Sequence, residues 1–182
     1  MGQYYKAIIL GEAKLSKQEI IRIFMEAWNY NNGAKLTEHS YLLNPFVNAF
    51  EFLLTPEGMF YKSRVVWAGD YADSEDDLEK NLYQLTDGQT EKQYLGNIKN
   101  TEDYRYIINH TKKQYVDKHK KTGNYVFHPL PLLTAEGNGR GGGDYHGIDE
   151  NLIGIWARDV ISVEKEKEKS SEFTELVCNF SD

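Results

Sequence analysis

Cysteine is nearly absent from this chain: Cys178 stands alone among 182 residues. That excludes an internal disulfide and any cysteine-rich zinc site, and it favours a reducing compartment, so a cytoplasmic protein is expected. Basic charge is also scarce, with 21 Lys and Arg against 28 Asp and Glu and a formal net charge of −7. A long nucleic-acid partner is therefore not expected, because binding to a phosphate backbone is led by a basic surface. A small anion held by a few fixed donors is still compatible with that charge. Long apolar runs are missing too. None approaches the roughly 18 residues that a spanning helix needs, and the opening "MGQYYKAIIL" has no signal-peptide pattern, so no membrane partner is expected. Apolar and aromatic residues, by contrast, are plentiful. At 40% hydrophobic and 13% aromatic they suffice for one domain over residues 1–182.

Hydrophobic spacing predicts an α+β fold. "YYKAIIL" (Tyr4 to Leu10) is a short apolar run between Gly2 and Gly11, as in a strand buried on both sides. In "SKQEIIRIFMEAWNYNNG", Ser16 and Glu19 form a capping-box pattern before apolar residues at helical spacing, predicting a helix from Ser16 to Tyr30. "AKLTEHSYLL" alternates like a strand. Asn44-Pro45 then opens a second helix over "PFVNAFEFLL", and Ser74 can cap a third over "EDDLEKNLYQL". Later segments read as strands: "YKSRVVW", a hairpin from Tyr104 to Tyr115, "LIGIWARDVISVEKE" and "FTELVCNF". "YVFHPLPLL", with Pro129 and Pro131, reads as an edge strand or an irregular extended segment. About three helices in the N-terminal half, strands afterwards and no repeating alternation predict a mainly antiparallel sheet.

The segment "LTAEGNGRGGGDYHGID" (Leu133 to Asp149) carries six glycines. Gly137, Gly139 and Gly142 satisfy G-x-G-x-x-G, yet Gly143-Asp144-Tyr145-His146-Gly147 does not open a helix, as a dinucleotide fingerprint requires. A weaker reading survives. Backbone N–H groups of Gly139, Gly141 and Gly142 can converge as an anion nest, with the Arg140 fork beside them; the alternative is a loop whose glycines serve tight turns. Gly-Asp-Tyr recurs at Gly69 to Tyr71, and Trp67-Ala68-Gly69-Asp70 is echoed by Trp156-Ala157-Arg158-Asp159. Loops at strand ends carry function on a rigid scaffold, so Trp67, Asp70, Asp73, Asp144, Tyr145, Arg158 and Asp159 join the candidate ligand contacts. His39 and His146, with Asp144, are the candidate acids or bases, since imidazole titrates near neutral pH. Asp70, Asp73, Asp144 and His146 are the metal-ligand types at hand, but no metal motif organises them and no cofactor is expected.

Taken together, "MGQYYK", "KLTEHSYLLNPFVNAFEFLL", "WAGDYAD", "NHTKKQYVD", "LLTAEGNGRGGGDY" and "GIWARDVISV" resemble a family of small hypothetical proteins of bacteria and their phages. The resemblance runs nearly end to end and implies a bacterial cell or phage-infected host as the setting. It also implies one role by analogy: a sponge that sequesters a host defence nucleotide signal. Three readings are carried forward. The first is a binder of a phosphorylated or nucleotide-like small molecule. The second is a metal-assisted hydrolase of the same ligand class, of phosphoesterase or nucleosidase type. The third is an inhibitor acting by protein–protein contact, and self-association is open in all three.

Overall fold

The computed structural model describes residues 2–76, 78–120, 127–138 and 145–181. Gly139, Arg140, Gly141, Gly142 and Asp144, which carry the expected anion loop, lie outside the described residues. One sheet organises the chain. Its strands are Tyr5–Leu10 (β1), Ile21–Glu26 (β2), Ser63–Gly69 (β3), Tyr106–Asn109 (β4), Gln114–Asp117 (β5), Ala135–Glu136 (β6), Val160–Glu164 (β7) and Thr174–Glu175 (β8). They are ordered β2-β1-β3-β7-β4-β5-β8, with β6 paired to β3. Pairing is antiparallel except for β3 with β6 and β5 with β8. The architecture is therefore α+β on a mostly antiparallel sheet. Among the described residues no helix is long and apolar enough to cross a membrane.

β1 is buried at every position, because both faces of the sheet are covered. Tyr5, Ala7 and Ile9 face the larger core, while Ile8 and Leu10 face a smaller one completed by Phe24, Val66 and Leu82. This is the period-two alternation of a strand applied to two apolar layers. Lys6 interrupts the run, and its ammonium is satisfied by Thr86 Oγ1 at 2.7 Å, Glu26 at 3.3 Å and the Tyr83 ring at 4.2 Å.

The helix Pro45–Phe52 forms as its sequence predicts. Asn44 Oδ1 accepts the Val47 N–H at 3.1 Å, and Pro45 occupies the first turn, where no N–H is needed. Phe46 and Phe50, one turn apart, pack on Trp67 with ring centroids 5.4 and 5.0 Å away.

Helix placement elsewhere departs from expectation. No helix occupies Ser16 to Tyr30. Ser16 is left-handed at φ 61, Leu15 pairs with Gln18 in a tight turn, and residues 21–26 form β2. Ile20, Ile21 and Ile23 are β-branched, and the open edge of β1 offers hydrogen bonds that decide an ambiguous apolar run in favour of a strand. The alternating "AKLTEHSYLL" instead holds the single turn Leu36–His39, and the third expected helix is reduced to Leu82–Leu85, capped by Asn81 rather than Ser74. The helix Pro129–Thr134 begins within "YVFHPLPLL", with both prolines in its first turn. The long strand expected after Leu152 is confined to β7, because Gly154 and Arg158 take left-handed φ values of 78 and 68.

Asn44 also donates through Nδ2 to Asn32 Oδ1 at 2.8 Å. Asn44→Ala is therefore expected to lower urea stability by about 1–2 kcal/mol, and Asn44→Asp, which keeps the capping acceptor, by less. An unchanged midpoint in Asn44→Ala would refute the capping role.

Candidate functional site

Four segments converge on one carboxylate. Glu51 sits on the inner face of the helix Pro45–Phe52, three residues after Asn48, so both side chains point the same way. Lys118 follows β5, and its backbone N–H continues the strand ladder onto Arg105 O at 2.9 Å. Thr101 lies in the segment leading to β4. His128 caps the helix Pro129–Thr134. All four of these side chains, Glu51, Lys118, Thr101 and His128, are buried.

Their hydrogen bonds are mutually determined. Leu130 N–H donates to His128 Nδ1 at 3.2 Å, which leaves the proton of the neutral ring on Nε2, and Nε2 donates to Glu51 Oε2 at 2.8 Å. Lys118 Nζ lies 2.8 and 3.0 Å from the two Glu51 oxygens and 3.4 Å from Thr101 O. Thr101 Oγ1 donates to Glu51 Oε1. Burial alone pushes the Glu51 carboxyl up, but the charge of Lys118 and the bonds from His128 and Lys118 outweigh it, holding the group at about 2. Burial pushes His128 below its ordinary value, with Glu51 only partly offsetting that effect. Glu51 is thus ionised and saturated with donors, and His128 is neutral with both nitrogens engaged.

This cluster floors a cavity of about 510 Å³, walled by Leu42, Leu43, Asn48, Glu102 and His119. Leu43 is unusual at its mouth. A leucine at φ 67 is strained, and its side chain is 62% exposed.

The residues singled out from sequence are distributed differently. Trp67 is wholly buried, and its indole N–H donates to His39 Nε2 at 2.9 Å. His39 Nδ1 lies 2.9 Å from Gly33 O, so its ring is neutral and fixed in the core rather than poised as an acid or base. Tyr145 packs between Phe127 and Phe180 at 5.6 and 5.8 Å. Asp70 Oδ1 accepts the Tyr4 N–H at 3.0 Å beyond the end of β3. Asp159 accepts from Asn109 Nδ2 at 2.8 Å and from Lys112, tying β7 to the β4–β5 hairpin. His146 is exposed, 3.9 Å from Glu150.

Apart from the buried Trp67–His39 pair, Asp73 and Arg158 are the described candidates that share a cavity, a second groove of about 700 Å³ that also holds Glu75, Glu136 and Gly137. Arg158 is not free there. Its guanidinium donates to Glu136 at 2.8 Å, Glu75 at 3.1 Å and Glu19 at 3.4 Å. Among the described residues no group of three His, Cys, Asp or Glu side chains is placed to hold a metal ion.

Sequence reasoning passed over Asn48, Glu51, Thr101, Lys118 and His128. One signal was present. "PFVNAFEFLL" is apolar nearly all round, so Asn48 and Glu51 within it had to be either exposed or buried with partners. No family model matches the chain, and neither the curated proteins nor the solved structures show a match to it.

Two tests follow from the geometry. On acidification the unfolded chain takes up protons before Glu51 or His128 does in the fold. Stability from His128 is therefore present above its ordinary 6.5 and lost as pH falls below it, whereas stability from Glu51 is lost between 4.5 and about 2. Unfolding midpoints should fall from pH 7 downward, and His128→Gln should flatten the portion between pH 7 and 5, leaving the share due to the other histidines, among them His110, whose pKa burial also lowers. Equal slopes in the two proteins would remove His128 from the account. Separately, Glu51→Gln leaves the Lys118 ammonium buried without its counter-ion, for an expected loss of about 3–5 kcal/mol. Adding Lys118→Met should restore much of that loss in a double-mutant cycle, and simple additivity would contradict direct coupling.

Proposed function

We propose that this protein binds a small nucleotide-like molecule in the cavity floored by Glu51, Lys118 and His128. The observation that carries this reading is the placement of a buried charge cluster at the bottom of an open cavity. A buried ion pair is commonly no more stable than apolar residues of the same volume, so stability alone does not account for one. Recognition does account for it. A volume of about 510 Å³ falls in the range of roughly 300–1,000 Å³ typical of small-ligand sites. Apolar walls with a few convergent polar groups and shifted pKa values are the usual composition of such sites. Leu42 and Leu43 offer apolar surface to a flat ring, and Leu43 is both exposed and held in a left-handed backbone conformation.

Binding is favoured over hydrolysis for a specific reason. A general base needs a free lone pair aimed at substrate. Glu51 accepts from three side chains and both nitrogens of His128 are occupied, so neither has that capacity. A binder without turnover acts by sequestration, in keeping with the resemblance to phage proteins.

Thermal shift and calorimetry against the common ribonucleosides and their monophosphates test this reading. A ligand at a hundred times its Kd adds about 2.7 kcal/mol, which for a chain of this size raises Tm by roughly 5–10 °C. Bound ligand should be recovered intact after denaturation. Leu43→Trp, which fills the mouth, should abolish the shift. No response from wild type across the panel, or recovery of a cleaved product, would overturn the proposal.

A further inference from the structure

We infer that the carboxamide of Asn48 reads the ligand, and that it takes the neutral donor–acceptor edge of a nucleobase rather than a phosphate. This inference rests on the proposed binding reading and goes beyond it by naming the recognised group. Asn48 is 8% exposed and lines the cavity. Its backbone N–H bonds to Asn44 O at 2.9 Å within the first turn of its helix. Its side chain makes no hydrogen bond to any described residue, although it stands one turn before the fully bonded Glu51. Its amide atoms open onto the cavity rather than being sealed from solvent, so a ligand that displaces water there must bond the amide or leave it unpaired.

The neighbouring groups set what that ligand presents. Thr101 Oγ1 and His128 Nε2 donate to Glu51, and Lys118 lies against both Glu51 oxygens, so the floor offers no free cationic donor to a phosphate. Glu102 adds a carboxylic side chain to the wall, which disfavours an anion further. Among the described residues of the cavity, Asn48 is the neutral planar group that offers a donor and an acceptor side by side, while His119 on the wall holds Glu102 O through Nε2. That pattern is the complement of a base edge, as when a carboxamide pairs with adenine through adjacent donor and acceptor atoms. The apolar surface of Leu42 and Leu43 suits the ring that carries such an edge.

The test compares wild type, Asn48→Leu and Asn48→Asp against nucleosides, their monophosphates and inorganic phosphate. Asn48→Leu replaces an unbonded buried amide with an apolar side chain of similar size, so its Tm should equal or exceed that of wild type. Its affinity for the preferred nucleoside should fall by about 5- to 150-fold, the discrimination of one bidentate amide–base pair. Asn48→Asp, which keeps an acceptor and loses the donor, should also weaken binding and shift the preference among bases. Nucleoside and monophosphate should bind within a few-fold of each other, and inorganic phosphate should not compete. Wild-type affinity in a folded Asn48→Leu protein would overturn this inference while leaving the binding reading intact. So would binding of monophosphates without nucleosides. Failure of every ligand on wild type would remove both.

Discussion

The Glu51 carboxylate is the point on which the open side of the molecule depends. It joins the helix Pro45–Phe52 and the cap of the helix Pro129–Thr134 to the segment before β4 and the end of β5, two strands that pair with each other, so two helices that lie off the sheet are tied to it. Burial works against its charge, and only the concentration of donors around it reverses the sign. Each donor is itself held from behind. Lys118 is anchored to Arg105 through its backbone, and His128 is oriented by Leu130 N–H and by its own N–H to Ser40 O. The cluster therefore acts as a unit, because moving any member leaves a charge or a donor buried without a partner.

A second ionic hub ties the start of β3. Glu19 receives Arg64 at 2.8 Å and Arg158 at 3.4 Å, and Arg158 reaches on to Glu75 and Glu136. Burial pushes the Glu19 carboxyl up, but the two guanidiniums more than offset this and hold it below its ordinary value. Arg158 pays a conformational cost to stand there, at φ 68, a region that non-glycine residues seldom adopt. The left-handed turn directs the guanidinium to Glu19, Glu75 and Glu136 while Asp159 binds Asn109 and Lys112 of the hairpin. The hub is closed upon itself. Carboxylates occupy the donors an anion would need, and this separates the Arg158 groove from the cavity above Glu51.

These two hubs explain which parts of the structure were legible in the sequence. β1, the helix after Asn44 and the β4–β5 hairpin are local patterns: an unbroken apolar run, a cap followed by proline, and alternation across a polar turn. The segment from Ser16 to Glu26 fits a helix as well as a strand by spacing, and only the free edge of β1 and the pairing of Glu19 with Arg64 decide it. Both are contacts at long sequence separation. The prolines near His128 read as an edge strand or an irregular extended segment, and the helix found there instead is set by the cap that His128 supplies. The candidate site was hidden for the same reason. Glu51, Thr101, Lys118 and His128 share no motif and meet only after the sheet and both flanking helices are in place. The glycine-rich segment drew attention because its signal is local, whereas a buried charge cluster leaves only polar letters scattered among apolar ones.

The contrast between Glu51 and Asn48 bears on how such a cavity works. The charged groups of the floor are already bonded to one another, so they need not reorganise or shed partners when a ligand arrives. Their part is to fix the shape of the floor and to hold the helix Pro45–Phe52 against it. Asn48, borne on that helix one turn earlier, lines the cavity and makes no side-chain hydrogen bond to any described residue. Selectivity in such an arrangement comes less from attraction to the right ligand than from the cost of closing a wrong one over an unanswered amide. A rigid, saturated floor sharpens that cost, because a floor that yielded would let Asn48 find a partner within the protein.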